Sequence, residues 1–257
     1  MLLLSVLLAS GQPAHSDPPN LVVVGTEKLS RITRLDNLLG KRKYNDINVL
    51  LASADSKETA SEDLLWLRDR SINSPSAFIN FTYARILWAA LGQQADPRLD
   101  QARQTAAAML IYTTVVFDID GARCSDHTAP SDRLNNIMSQ NYPILEYARK
   151  TSIENKQQII RIVTRLDQKN ASERAENFDS EFLCTGGLQH MAHMMEHGNS
   201  KERPAREGEV GRQIELSDGD EKYVPPLKDK EDWLKVAADK RTKLQKWLFN
   251  LLEKPEN

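Results

Sequence analysis

Three of the chain's five histidines and three of its six methionines fall within CTGGLQHMAHMMEHG, residues 184–198. Imidazole nitrogen with thioether sulfur suits copper, and imidazole alone suits zinc. On a helix turning about 100° per residue, His190, His193 and His197 share an arc of about 60°. His190 with His193, or His193 with His197, could chelate one ion. His190 and His197 lie two turns apart, about 10 Å along the axis, so one ion could hardly take all three. Further ligands would come from Glu196, Asp126 or His127. The competing reading is packing: Leu188, Met191, Met194 and Met195 form a stripe toward the core, and the histidines sit on its polar flank. Such a flank could also sense pH.

Two stretches resemble catalytic motifs. HMMEH, residues 193–197, is similar to the H-x-x-E-H motif of inverted-motif metalloproteases. That resemblance implies zinc held by His193 and His197, with Glu196 activating water. It covers five residues, Gly198 ends the helix at the motif itself, and the remaining chain is mostly linker-like. VVFDIDGAR, residues 115–123, resembles the first motif of haloacid-dehalogenase-type phosphatases, an apolar strand ending in D-x-D-G. The resemblance implies a hydrolase with Asp118 as nucleophile and Asp120 as general acid. Here the motif ends a long helical pattern, Ala122 and Arg123 replace the usual Thr and apolar residue, and no alternating strands follow. The packing alternative is a helix terminus entering the polar loop that holds Cys124. The chain has no G-x-S-x-G signature and no phosphate-binding glycine loop, and Gly186-Gly187 reads as turn chemistry. The glycosylation sequons at Asn80 and Asn170 matter only in a eukaryotic secretory pathway.

The elements that must position these residues read as helices. The 257 residues suffice for one large domain or two small ones. With 34 basic and 36 acidic side chains the net charge is -2, which argues against a nucleic-acid surface. The start, MLLLSVLLASGQPAHSD, has an apolar run and small residues before a cut ahead of Asp17, the pattern of a secretory signal over 1–16, although no Lys or Arg precedes the run. Export to a periplasmic or extracellular compartment favours a Cys124–Cys184 disulfide. No later stretch is expected to span a membrane.

SINSPSAFINFTYARILWAALG predicts a helix with Ser74 as cap, Pro75 at the first position and Gly92 as stop. Asp96-Pro97 starts the next helix, giving an antiparallel hairpin. Helical patterns also cover Leu29–Leu51, Ser131–Arg149 and Thr151–Gln168, with capping boxes at Thr59/Glu62 and Thr151/Glu154. Ala84, Trp88, Leu91 and Pro97 partly resemble the second helix of tetratricopeptide-like repeats, without a second copy at a fixed period. LVVVG at 21–25 and RQIEL at 212–216 are the strand candidates.

The expected fold is therefore all-α: antiparallel hairpins forming a bundle or short solenoid-like core over 17–198. A flexible charged linker over 199–230 and an amphipathic helix over 231–257 follow. That helix either docks on the core or presents Trp233, Trp247 and Leu251 to a partner or membrane surface. The leading functional expectation is an exported, non-enzymatic protein acting through a protein partner or the envelope. The alternatives are copper or zinc binding at His190, His193 and His197, and hydrolysis by Asp118 and Asp120.

Overall fold

The computed structural model describes residues 21–73, 76–92, 96–204, 213–217, 219 and 222–253, with side chains from residue 31 onward. The expected signal segment 1–16, and the expected cap Ser74 with Pro75, lie outside the described residues. The chain falls into two units, Met1–Ala52 and Ser53–Asn257. The fold is all-α, with one two-stranded sheet among the described residues.

In the first unit, α1 (Leu21–Gly40) and α2 (Tyr44–Ala52) replace the single expected helix. The break is a Schellman turn. Arg42 sits at φ 55°, its N–H donates to Leu39 O at 3.0 Å, and the Lys43 N–H donates to Leu38 O at 2.9 Å. Arg31 ties the pair by donating to Leu50 O at 2.6 Å. LVVVG is not a strand but the first turn of α1. A short apolar run carries no period of its own, so its flanking helix decides its state.

Serine hydroxyls start several helices of the second unit. Ser56 caps α3 (Lys57–Asn73), Ser76 caps α4 (Ala77–Leu91) and Ser152 caps α8 (Ile153–Glu176). α3 thus begins before the expected box at Thr59, and α8 is capped one residue after Thr151. Gly92 ends α4 at φ 62°, where a side chain would be strained. Asp96 then caps a 3₁₀ turn, Pro97–Leu99, that feeds α5 (Asp100–Ile119). The α4–α5 pair is antiparallel: Phe78 near the start of α4 and Phe117 near the end of α5 meet the same ring, Phe182.

α5 is the central helix and is almost entirely buried, with α4, α7 and α8 packed on it. Its stretch is the one described segment long and apolar enough to cross a membrane by length and composition, but most of it lies inside the fold, so it is no clear transmembrane segment. The expected Ser131–Arg149 helix is two helices, α6 (Thr128–Gln140) and α7 (Tyr142–Lys150). Asn141 breaks it by turning its amide back onto Ile137 O at 2.8 Å, and Pro143 restarts the chain.

A short α9 (Ser180–Leu183) leads to the cysteine loop and α10 (Leu188–His197). Cys124 and Cys184 form a buried disulfide with Cα atoms 5.3 Å apart. Closing a loop of 60 residues stabilises the fold by about 4 kcal/mol on the chain-entropy account. The region expected as a linker holds β1 (Asn199–Arg203) paired antiparallel with β2 (Gln213–Ser217). It then runs as an extended strap. Ser125 N–H donates to Pro226 O at 3.1 Å, and Lys228 N–H donates to Arg123 O at 2.9 Å.

The last helix, α11 (Lys230–Glu253), docks on the core through Trp233, Ala237, Leu244, Leu248 and Leu252. The Trp233 indole donates to Ile119 O at 2.8 Å. Beneath it, Arg174 of α8 donates to Asp120 at 2.6 Å and also to Asp167 and the Tyr112 hydroxyl. Arg241 of α11 completes the cluster by donating to Asp167 at 2.8 Å.

Removing one partner of a buried ion pair leaves an uncompensated charge. Arg174→Met should therefore lower unfolding free energy by about 3–5 kcal/mol in urea titrations. Asp118→Asn, which breaks the half-exposed pair with Lys240, should cost about 1 kcal/mol or less. The reverse order would show that the buried cluster does not hold α11.

Candidate functional site

One carboxylate positions α10. Asp126 accepts from Thr128 N–H at 2.9 Å, the Thr128 hydroxyl at 2.6 Å and Gln189 N–H at 2.8 Å. The Thr128 oxygen accepts in turn from Leu188 N–H at 2.9 Å. The first turns of α6 and α10 are thus laced together beside the disulfide. Gly187 makes the approach possible, since a Cβ there would lie 2.4 Å from Asp126 Oδ2 and 2.6 Å from Ala129 N. Burial alone would push the Asp126 carboxyl up. The Thr128 hydroxyl and the Gln189 and Thr128 amides outweigh it and hold the group below its ordinary value.

His190 and His193 are half-buried and His197 is exposed. The His190 ring stacks on Tyr223 at 4.5 Å and 11°, and its Nδ1 accepts from Gly186 N–H at 3.0 Å. His193 lies 5.3 Å from the Tyr223 ring and 4.9 Å from the His197 ring. His197 Nε2 lies 3.6 Å from Glu196 Oε2. His193 and His197 are thus paired one helical turn apart, and His190 shares the Tyr223 ring with His193. Asp126 and His127, expected as further ligands, have other roles: Asp126 caps two helices, and His127 Nε2 lies 3.3 Å from Lys228 Nζ. Among the described residues, no group of three or more His, Cys, Asp or Glu could hold a metal ion.

Three of the four residues of the apolar stripe point the opposite way from expectation. α10 buries none of its residues; Leu188, Met191 and Met195 are 62%, 45% and 66% exposed, and Met194 is half-buried. The strap carrying Tyr223 covers the histidine side instead, and a strap expected as free linker gave no reason to place it there.

Neither carboxylate of VVFDIDGAR lies at a strand end. Asp118 accepts from Lys240 at 2.6 Å, and Asp120 is 2% exposed beneath Arg174. Burial pushes the Asp120 carboxyl up while Arg174 pulls it down, and burial pushes the neighbouring Tyr112 phenol up to about 12. Both sequon asparagines, Asn80 and Asn170, are buried.

Of the expected partner residues, Trp233 is 1% exposed and closed to a partner, because its indole satisfies the α5 terminus. Trp247 and Leu251 are half-buried. Trp247 lines a groove of about 420 Å³ whose walls also include Asp118, His127, Leu134, Lys228 and Lys240. Sequence reading had singled out Asp118, His127 and Trp247 separately. It missed Lys228, Lys240 and Tyr223, whose only signal was position in a charged, Pro-rich stretch or on a polar helix face. Compared with protein-family models, curated proteins and solved structures, the chain matches none.

Because the folded-state value of Asp126 lies below its unfolded value of about 3.9, its stabilisation is present above that pH and lost as pH falls through the folded value. Asp126→Asn should cost about 1–3 kcal/mol from pH 8 to 5, and the gap should narrow below about pH 4. Urea midpoints of both proteins across this range read it directly. A gap that stays constant down to pH 2 would assign the loss to shape, not charge.

Proposed function

We propose that this is an exported, non-enzymatic helical protein that binds a protein partner through the outward face of α10. The observation that carries this reading is the exposure of Leu188, Met191, Ala192 and Met195 on one helix. By helical geometry they span an arc of about 100°. Methionine side chains adapt to irregular apolar surfaces and recur at binding faces. α10 carries no Lys or Arg, and the stripe is bordered on one side by Gln189 and Glu196, so an anionic membrane is a poor fit. A partner presenting an apolar groove fits the stripe. The buried disulfide accords with export. The ion-paired states of Asp118 and Asp120 count against hydrolysis.

The test is proximity crosslinking in the exported fraction with wild type and a Leu188→Gln/Met191→Gln/Met195→Gln variant. One defined partner should be crosslinked by the wild type and lost in the variant, with the melting temperature unchanged. Retention of that partner by the stable variant would remove the reading.

A second reading, copper or zinc binding, is favoured by the 4.9 Å separation of the His193 and His197 rings one helical turn apart. Two imidazoles so placed can share one ion and leave positions open. Titration with Zn(II) or Cu(II) should give binding that His193→Ala abolishes and His190→Ala retains. Equal uptake by wild type and His193→Ala would end it.

A further inference from the structure

α6 and α11 each pack on α5, and the groove between them has a volume of about 420 Å³. Its floor is Phe117 and Gly121, at and just beyond the α5 terminus. Its sides are Pro130 and Leu134 from α6 and Val236 and Trp247 from α11. Mostly apolar walls with a few convergent polar groups are the usual make-up of a small-molecule site.

The polar end is unbalanced in charge. Lys240 is matched by Asp118 at 2.6 Å. Lys228, by contrast, donates to Ala122 O at 2.9 Å and contacts His127 Nε2 at 3.3 Å, neither of them a carboxylate. With these two contacts, one of its three ammonium hydrogens is uncommitted, and no carboxylate among the described residues lies within ion-pair distance. The larger groove beside Trp88 and Tyr147, about 530 Å³, differs on this point. Its Arg103 and Lys150 already pair with Asp100 and Glu146.

We propose that the α6–α11 groove binds a small amphiphilic anion, a monocarboxylate with an aliphatic or aromatic body. The carboxylate pairs with Lys228, and the body lies between Leu134 and Trp247. The site is separate from the α10 stripe and does not depend on it.

Calorimetric titration of the full chain with octanoate, and with octanamide as its uncharged counterpart, tests this. Octanoate should bind saturably at one site and about three- to fivefold more tightly than octanamide, the scale of an exposed ion pair. Lys228→Gln should reduce octanoate affinity to that of octanamide, and Leu134→Trp, which fills the groove, should abolish both. Circular dichroism and melting curves confirm that each variant is folded. Absence of saturable octanoate binding would overturn the proposal. So would equal affinity for the two ligands, or octanoate binding unchanged in a folded Lys228→Gln or Leu134→Trp variant.

Discussion

The guanidinium of Arg174 is the constraint around which the second unit closes. It lies on α8 and reaches two groups of the neighbouring α5 segment, Asp120 and Tyr112, and one of its own helix, Asp167. Asp167 is shared with Arg241, so the cluster also holds α11. Two carboxylates against two guanidiniums leave no net charge in the interior. A buried cluster of this kind adds little stability compared with an apolar core, but it is intolerant of a missing member and so specifies which helices meet. Trp233 acts in the same place by a neutral route, giving its indole N–H to the Ile119 carbonyl, which the helix end would otherwise leave buried and unpaired. The residues of VVFDIDGAR that resembled a catalytic motif are thus consumed in building the joint between α5, α8 and α11.

A second set of constraints fixes α10. The Cys124–Cys184 bond brings two loops together, Asp126 caps the helices that follow both, and the strap at 226–228 pairs with the same loop. Tyr223, on that strap, gives His190 and His193 a ring to lie against. α10 contributes nothing to the core, yet its start is held by covalent, ionic and steric means at once. A helix fixed this firmly with an exposed apolar face supports the proposal that it presents a surface to a partner.

How far the sequence foretold this depends on whether the information was local. Gly92 and Asp96 declared their helix ends because the left-handed turn and the side-chain cap are decided within a few residues. The all-α class and the cysteine pairing were legible for similar reasons, periodicity in one case and redox chemistry in the other. The break at Asn141 was less so: Pro143 was visible, but proline is tolerated in a first turn, and only the turned-back amide decides that a new helix begins. The facing of α10 was not legible at all. Its apolar and imidazole arcs are both plausible inward faces, and the choice rests on a strap more than twenty residues away. Trp233 was ambiguous for the same kind of reason. An amphipathic helix advertises an apolar face but not whether the partner is its own core.

The facing of α10 also bears on which chemistry the His/Met helix can support. At about 100° per residue, His193 and His197 sit roughly 140–180° around the helix from Leu188, whereas Met191 and Met195 sit near 300° and 340°. His190 and His193 turn toward Tyr223 and the thioethers of Met191 and Met195 toward solvent, so those groups do not converge on one ion. Mixed imidazole–thioether ligation through Met191 or Met195 is therefore split between two sides of the helix, and the half-buried Met194, near 240°, is the one thioether beside the imidazoles. The pair His193 and His197, if it binds an ion as the second reading has it, suits zinc or copper(II) more than copper(I). The opposite side is apolar and uncharged, and the two sides need not serve the same purpose.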